Sequence, residues 1–260
     1  INEDEPICFL RPMDVGGAYI KTFLQDKNII KYDEKYIHTW PSHPYEYLVE
    51  IIKQRKWNKL NIGLEMDSHY FTAFCYEKIK IGLPDAKLKD SERLINWVRL
   101  IKSDREIDLM RTAAKITENG MRSAIDHINP GVRQCEAVAE IQKSLIGGTS
   151  QFGGDYAGIV PMLPTGRGTS ASHLTWTEEK FIKGESTIVE LAGVYKKYHC
   201  PMARTILLGK PDQKIIDTMK ATNEALDAGI SEVKPGKTCD EVAQKFWKVL
   251  DKYGIKKSSR

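Results

Sequence analysis

Three features of the 260-residue sequence predict an α+β fold in two parts. Residues 1–90 alternate short apolar runs with one amphipathic helical stretch, the pattern of a small α/β domain. A phrase built around a Pro-Gly pair, INPGVRQCEAVAEI from Ile128, returns as VKPGKTCDEVAQKF from Val233. Between the two copies, residues 187–209 have the apolar pattern and turn punctuation of two paired strands.

The apolar runs of the first part are ICFL, YIKTFL and NIGLEM, and its helical stretch is 45–55, with Leu48, Ile51 and Ile52 at helical spacing. Gly82, Leu83, Pro84 and Asp85 form a turn signal that ends this part, giving domains of 1–90 and 91–260. Residues 91–127 then place Leu94, Val98, Ile101, Ile107, Met110, Ala114 and Ile116 where two successive helices would need them. In the repeat, Pro130 and Pro235, Gly131 and Gly236, and Glu136 and Glu241 are in register. Each copy has a helix before the Pro-Gly turn and an amphipathic helix after it. Residues 159–163 fit a strand, and 164–172, rich in Gly, Ser and Thr, fit a loop that lets backbone approach a ligand. No Gly-Lys-Ser/Thr ending follows, so this is not a phosphate loop. The hairpin starts as a strand over 188–191, breaks at Ala192 and Gly193, and returns through Tyr198 to Leu208 and a closing Gly209.

Composition narrows the function classes. With 41% hydrophobic and 28% charged residues the chain has ordinary globular content. No run approaches the roughly 18 apolar residues of a membrane span. The opening INEDEPICFL lacks the basic start and apolar core of a signal peptide, so a cytoplasmic location is expected. Cys8, Cys75, Cys135, Cys200 and Cys239 are scattered singly, which fits reduced thiols. A net charge of +4 spread over the chain does not argue for nucleic acid, and the basic end KKSSR fits solvated surface.

The wording VRLIKSDREIDLMRTAAKITENGM, together with the repeat and the hairpin, resembles the pita-bread hydrolases, the family of methionine aminopeptidase, prolidase and creatinase. The resemblance implies a creatinase-type N-terminal α/β domain followed by a pita-bread domain. It also implies truncation at both ends, since the chain begins at Ile1 without Met and stops where later strands of that domain would follow. In the family this hairpin usually carries two Asp residues that bridge two metal ions. Counted from Arg204 and Thr205, those positions here hold Glu190 and Pro201. Proline has no donor atom, and a single Glu cannot rebuild the oxygen-rich cage that two divalent cations need. The chain therefore resembles the metal-free branch, with no metal and no cofactor expected.

His173 stands seventeen positions before Glu190, as the family's active-site His stands before its first Asp. By that resemblance it faces the cavity as a proton donor or acceptor; a structural loop histidine is the alternative. Glu190, in an otherwise apolar strand, is a nucleophile, a base or an anion for a cationic substrate, or else a structural acid paired with Arg204 or a lysine. His199 lies two residues before Pro201, so strand alternation puts both on one face, whereas Cys200 faces away. Arg204 matches a family Arg that fixes the strand through salt bridges. Tyr156 and Trp176 flank the loop and either stack on a flat cation or serve as core aromatics. His38, His43, His69 and His127 show no metal-ligand spacing and fit surface or structural roles.

Creatinase has a Glu near the Arg-Thr pair, where this chain has Ala203. The segments GGDYAGIVPMLPTGRGTSASHLTW, VELAGVYKKYHCPMARTILLG, FLRPMDVGGAY and IGLEMDSHYFTA together look like the ectoine-hydrolase group. That resemblance implies hydrolysis of a cyclic amidine by a catalytic set of Glu190, His173 and His199, with Tyr156 and Trp176 binding a small zwitterionic substrate. A homodimer is implied in the same way. A metallopeptidase of the Xaa-Pro type and a catalytically dead binding module are the competing classes.

Overall fold

Two pairs of parallel strands, each joined by a helical crossover, organise the first part of the computed structural model, which describes residues 5–256. Strand β1 (Cys8–Leu10) pairs with β2 (Ile29–Lys31) around helix α1 (Val15–Lys21). After helix α2 (Pro44–Gln54), strand β3 (Asn61–Leu64) pairs with β4 (Lys87–Asp90) around helix α3 (Ala73–Gly82). Parallel neighbours cannot be joined by a tight turn, which is why each pair needs its helix. The chain divides into two units, 1–101 and 102–260.

Local chemistry explains the element starts. The Nδ1 of His43 accepts the Tyr45 N–H at 3.2 Å and Pro44 occupies the first helical position, so α2 begins there. Burial pushes the His43 imidazole below its ordinary pKa, with Lys78 adding to the effect. Val49 and Ile52 of α2 pack with Leu64, Ile79 and Leu83 into the core of this unit. Of the three apolar runs, ICFL supplies β1 and NIGLEM supplies β3. YIKTFL instead closes α1 and the loop after it, with Ile20 and Phe23 exposed. The two helices expected over 91–127 are α4 (Leu94–Val98), in the first unit, and α5 (Asp104–His127), in the second.

Ser103 and Glu106 form a reciprocal capping box at the start of α5. After it come α6 (Gln134–Gly147), the hairpin strands β5 (Ser186–Tyr195) and β6 (Tyr198–Leu207), α7 (Gln213–Glu232) and α8 (Cys239–Lys252). The repeat is visible in atomic detail. Gly131 and Gly236 both take left-handed backbone, at φ +88° and +87°. Glu136 accepts the Arg133 N–H at 3.1 Å, and Glu241 accepts the Thr238 N–H at 2.9 Å. Ile116, Ile128, Ile141, Leu163, Val189 and Leu191 are fully buried where α5 and α6 pack on one face of β5.

The hairpin departs from its expected outline. β5 and β6 pair without a break from Ser186 opposite Leu207 to Tyr195 opposite Tyr198, and the turn is Lys196 and Lys197, at φ 47° and 70°. Positive φ at both positions is the two-residue turn whose twist matches paired strands. Gly193 lies inside β5 for a different reason. A Cβ there would come within 2.4 Å of Thr117 N and 2.6 Å of Ala113 O, so the glycine lets α5 backbone approach the strand. The strand expected over 159–163 is reduced to one bridge, Met162 opposite Glu190. Pro161 and Pro164 have no N–H to give a ladder. Among the described residues no helix is long and apolar enough to cross a membrane. The basic end from residue 257 on lies outside the described residues.

Candidate active site on the hairpin face

Directly opposed residues of an antiparallel pair point to the same side, so the register sorts the hairpin into two faces. Val189, Leu191 and Gly193 face α5 and α6, and Cys200, opposite Gly193, is on that side as a free thiol. The other face carries Glu190 opposite Ala203, Ala192 opposite Pro201, and Val194 opposite His199. His199 and Pro201 thus share a face with Glu190.

Glu190 is half-buried, and among the described residues its carboxylate has no hydrogen-bond or ion-pair partner. Its main chain is held on the free edge of β5 by Met162, with N–H to O distances of 2.8 and 3.1 Å. Arg204 lies opposite Val189, on the other face from Glu190, and its Nη1 donates to Ala203 O at 2.7 Å. The salt bridge expected of Arg204 is therefore absent among the described residues: an exposed guanidinium on that face meets a carbonyl, and no carboxylate.

His173 is exposed, in a turn with left-handed backbone at φ 65°. The next residue, Leu174, accepts the Leu163 N–H at 3.1 Å, and Leu163 adjoins the Met162 bridge. His173 thus adjoins the outer side of the 162–164 segment, whose inner side pairs with β5 at Ile188 and Glu190, and no hydrogen bond joins the His173 and Glu190 side chains among those described. Trp176 packs partly buried against the core of the second unit. Tyr156 is 71% exposed, and its ring carries a cation already, the Lys197 ammonium at 3.9 Å from the centroid.

That contact belongs to a cluster that sequence reasoning missed. Lys197 pairs with Asp155 at 2.9 Å, which holds the Asp155 carboxyl below its ordinary pKa; the Tyr156 N–H, at 2.9 Å from Oδ1, adds to the effect. His199 accepts the Gly158 N–H at Nε2, 3.0 Å away, and its Nδ1 lies 3.0 Å from Lys197 O. The pair of lysines at the hairpin turn was the available signal, since two adjacent cations invite an acidic partner.

As a metal site the hairpin is a poor fit. It offers one carboxylate, at Glu190, and hydrocarbon at Pro201. Among the described residues no three His, Cys, Asp or Glu side chains are disposed to hold an ion. These donors do not suit a bridged pair of divalent cations. What the face offers is an unpaired anion beside apolar Ala192, Pro201 and Ala203.

Residues 108–260 match the model described as Metallopeptidase family M24, and residues 1–101 match the Creatinase/Prolidase N-terminal domain. Over 260 aligned residues the sequence is 40% identical to ectoine hydrolase of Halomonas elongata, covering 97% of this chain and 65% of that protein. It is 22% identical to a Xaa-Pro dipeptidase of Pyrococcus furiosus, covering 92% of this chain and 68% of that one. The fold is similar to the solved prolidase from Pyrococcus furiosus, with a TM-score of 0.77 at 19% identity, covering 98% of this chain and 68% of that one. The chain thus spans about two thirds of the length of these relatives.

Proposed function

The chain belongs to metallopeptidase family M24 and carries its pita-bread fold behind a creatinase/prolidase N-terminal domain, and from that premise we propose that it serves a hydrolase that opens the cyclic amidine ring of ectoine without a metal ion. The observation that carries this reading is the Glu190 carboxylate, half-buried and unpartnered among the described residues on the open face of the hairpin. The 40% identity to an ectoine hydrolase supports it.

The substrate's chemistry suits such a site. An amidinium is a planar cation whose central carbon is already electrophilic, so it needs a nearby anion more than it needs a Lewis acid. At about 4 Å and an effective dielectric of about 20, opposite unit charges attract by about 4 kcal/mol before desolvation is subtracted. With Glu190 against the ring carbon, water adds there and gives a proton to the carboxylate. The ring C–N bond then breaks, the leaving nitrogen takes a proton from His173, and the product is an N-acetylated 2,4-diaminobutanoate. Water is the only co-reactant, and its atoms account for the difference between ring and open product. Trp176 flanks the cation, His199 holds the neighbouring segment in place without exchanging a proton, and the enzyme works as a homodimer. Hydroxyectoine, with the same amidine, is a second substrate of this scheme.

Titration calorimetry of the purified protein with ectoine, hydroxyectoine, creatine and a proline dipeptide tests the assignment, with metal analysis of the same sample. Binding of the first two, unchanged by chelator and lost in Glu190→Gln, is the expected result. Two equivalents of a transition metal with peptide hydrolysis, or full ectoine turnover in Glu190→Gln, would sink it.

A further inference from the structure

The segment after α6 takes an uneven path along β5. Asp155 donates its N–H to Val194 O at 3.0 Å, and Met162 pairs with Glu190, so seven steps of this segment cover four steps of the strand. The excess bows out as an arch over 156–161, with Ile159 and Val160 49% and 44% exposed. One side chain of the return strand reaches it. His199 spends both ring nitrogens on main chain, Nε2 at 3.0 Å from Gly158 N and Nδ1 at 3.0 Å from Lys197 O. Only the neutral ring with its proton on Nδ1 satisfies both, because Nε2 must accept.

We propose that His199 is a positioning residue, which fixes the 156–161 arch through the Gly158 N–H and takes no part in proton transfer. The proposal rests on the reading of the Glu190 face as the substrate site. Distance supports it: His199 stands opposite Val194, four residues from Glu190, or about 13 Å along the strand. A ring tied to Lys197 O at the turn is directed away from Glu190. The arch has a second fastener in the Asp155–Lys197 pair at 2.9 Å, capped by the Tyr156 ring. His199 is the fastener that contacts the middle of the arch.

The test separates holding from proton transfer. A glutamine at 199 keeps an acceptor oxygen for Gly158 but cannot shuttle protons; a phenylalanine does neither. Nitrogen NMR of the imidazole in the wild-type protein is expected to show the Nδ1–H tautomer. Exchange of the Gly158 amide is expected to be about tenfold faster in His199→Phe and within about threefold of wild type in His199→Gln, in keeping with loss or retention of one hydrogen bond. Ectoine turnover follows the same order. An Nε2–H tautomer, or unchanged Gly158 exchange in His199→Phe, overturns the proposal, as does equal loss of turnover in both variants while the glutamine still protects Gly158. Should His199→Phe not fold, the wild-type tautomer and the glutamine variant still decide. If the wild-type protein neither binds nor hydrolyses ectoine, the substrate assignment fails, while tautomer and exchange still decide what His199 does.

Discussion

The hydroxyl of Thr117 accepts the N–H of Gly193 at 2.9 Å and lies 2.6 Å from Cys200 O, so one side chain of α5 ties the two hairpin strands together at a single rung. This contact needs a glycine. With a Cβ built 2.4 Å from Thr117 N, Gly193→Ala must push α5 off the strand, and the clash is with backbone that cannot rotate away. Overpacking of this kind costs about 1–3 kcal/mol. Urea unfolding of Gly193→Ala should show that loss, and a midpoint equal to wild type would mean that α5 and β5 leave room for a methyl group.

The hydroxyl itself is separable from the shape. Thr117→Val keeps the volume but leaves the Gly193 N–H without this acceptor in a fully buried place, at a cost of about 1–3 kcal/mol. The repeat supplies an internal control. Thr222 occupies the same register as Thr117, but it is exposed, and its hydroxyl donates to Thr218 O of its own helix. Thr222→Val should stay within about 0.5 kcal/mol of wild type. Similar losses at both positions would remove the hairpin contact as the cause.

Acid stability should register the capping box at the start of α8. The Thr238 N–H, the Lys237 ammonium and the Thr238 hydroxyl hold the Glu241 carboxyl at about 2, below its ordinary value. A folded value below the unfolded one means that the stabilisation is fully present above the unfolded pKa and is lost as pH falls towards 2. Melting temperatures of wild type and Glu241→Gln should therefore differ most above about pH 5 and converge by about pH 2. A gap that does not change with pH would assign the effect to shape, since Gln can still accept the Thr238 N–H.

These residues show where the sequence was legible. Periodicity placed α2 and the paired strands, because an apolar face at fixed spacing is a local property of the chain. The Pro-Gly repeat located both inter-helix turns, because left-handed backbone favours glycine at Gly131 and Gly236. Gly193 misled for a related reason. A glycine in a strand marks a turn or a close approach, and only the fold shows that α5 is the approaching partner. The turn fell instead on two lysines, neither a strong turn former. Helix α3 and strand β4 went unread: LKD in β4 is mostly polar and exposed, with pairing to β3 its only strand signal. The partner of His199 is a backbone amide, and a backbone amide leaves no mark in a sequence.

Glu190 invites a test in which stability and function move apart. A structural acid would be paired, and its removal would strand a partner. Glu190 has no partner among the described residues, yet it is half-buried, so its charge is partly desolvated without compensation. Residues kept for function commonly cost stability in this way. Glu190→Gln should accordingly be neutral or up to about 2 kcal/mol more stable in urea unfolding, while ectoine binding by calorimetry is lost. A loss of more than about 1 kcal/mol would show instead that the carboxylate holds the hairpin, and the anion at the centre of the proposed site would then be structural.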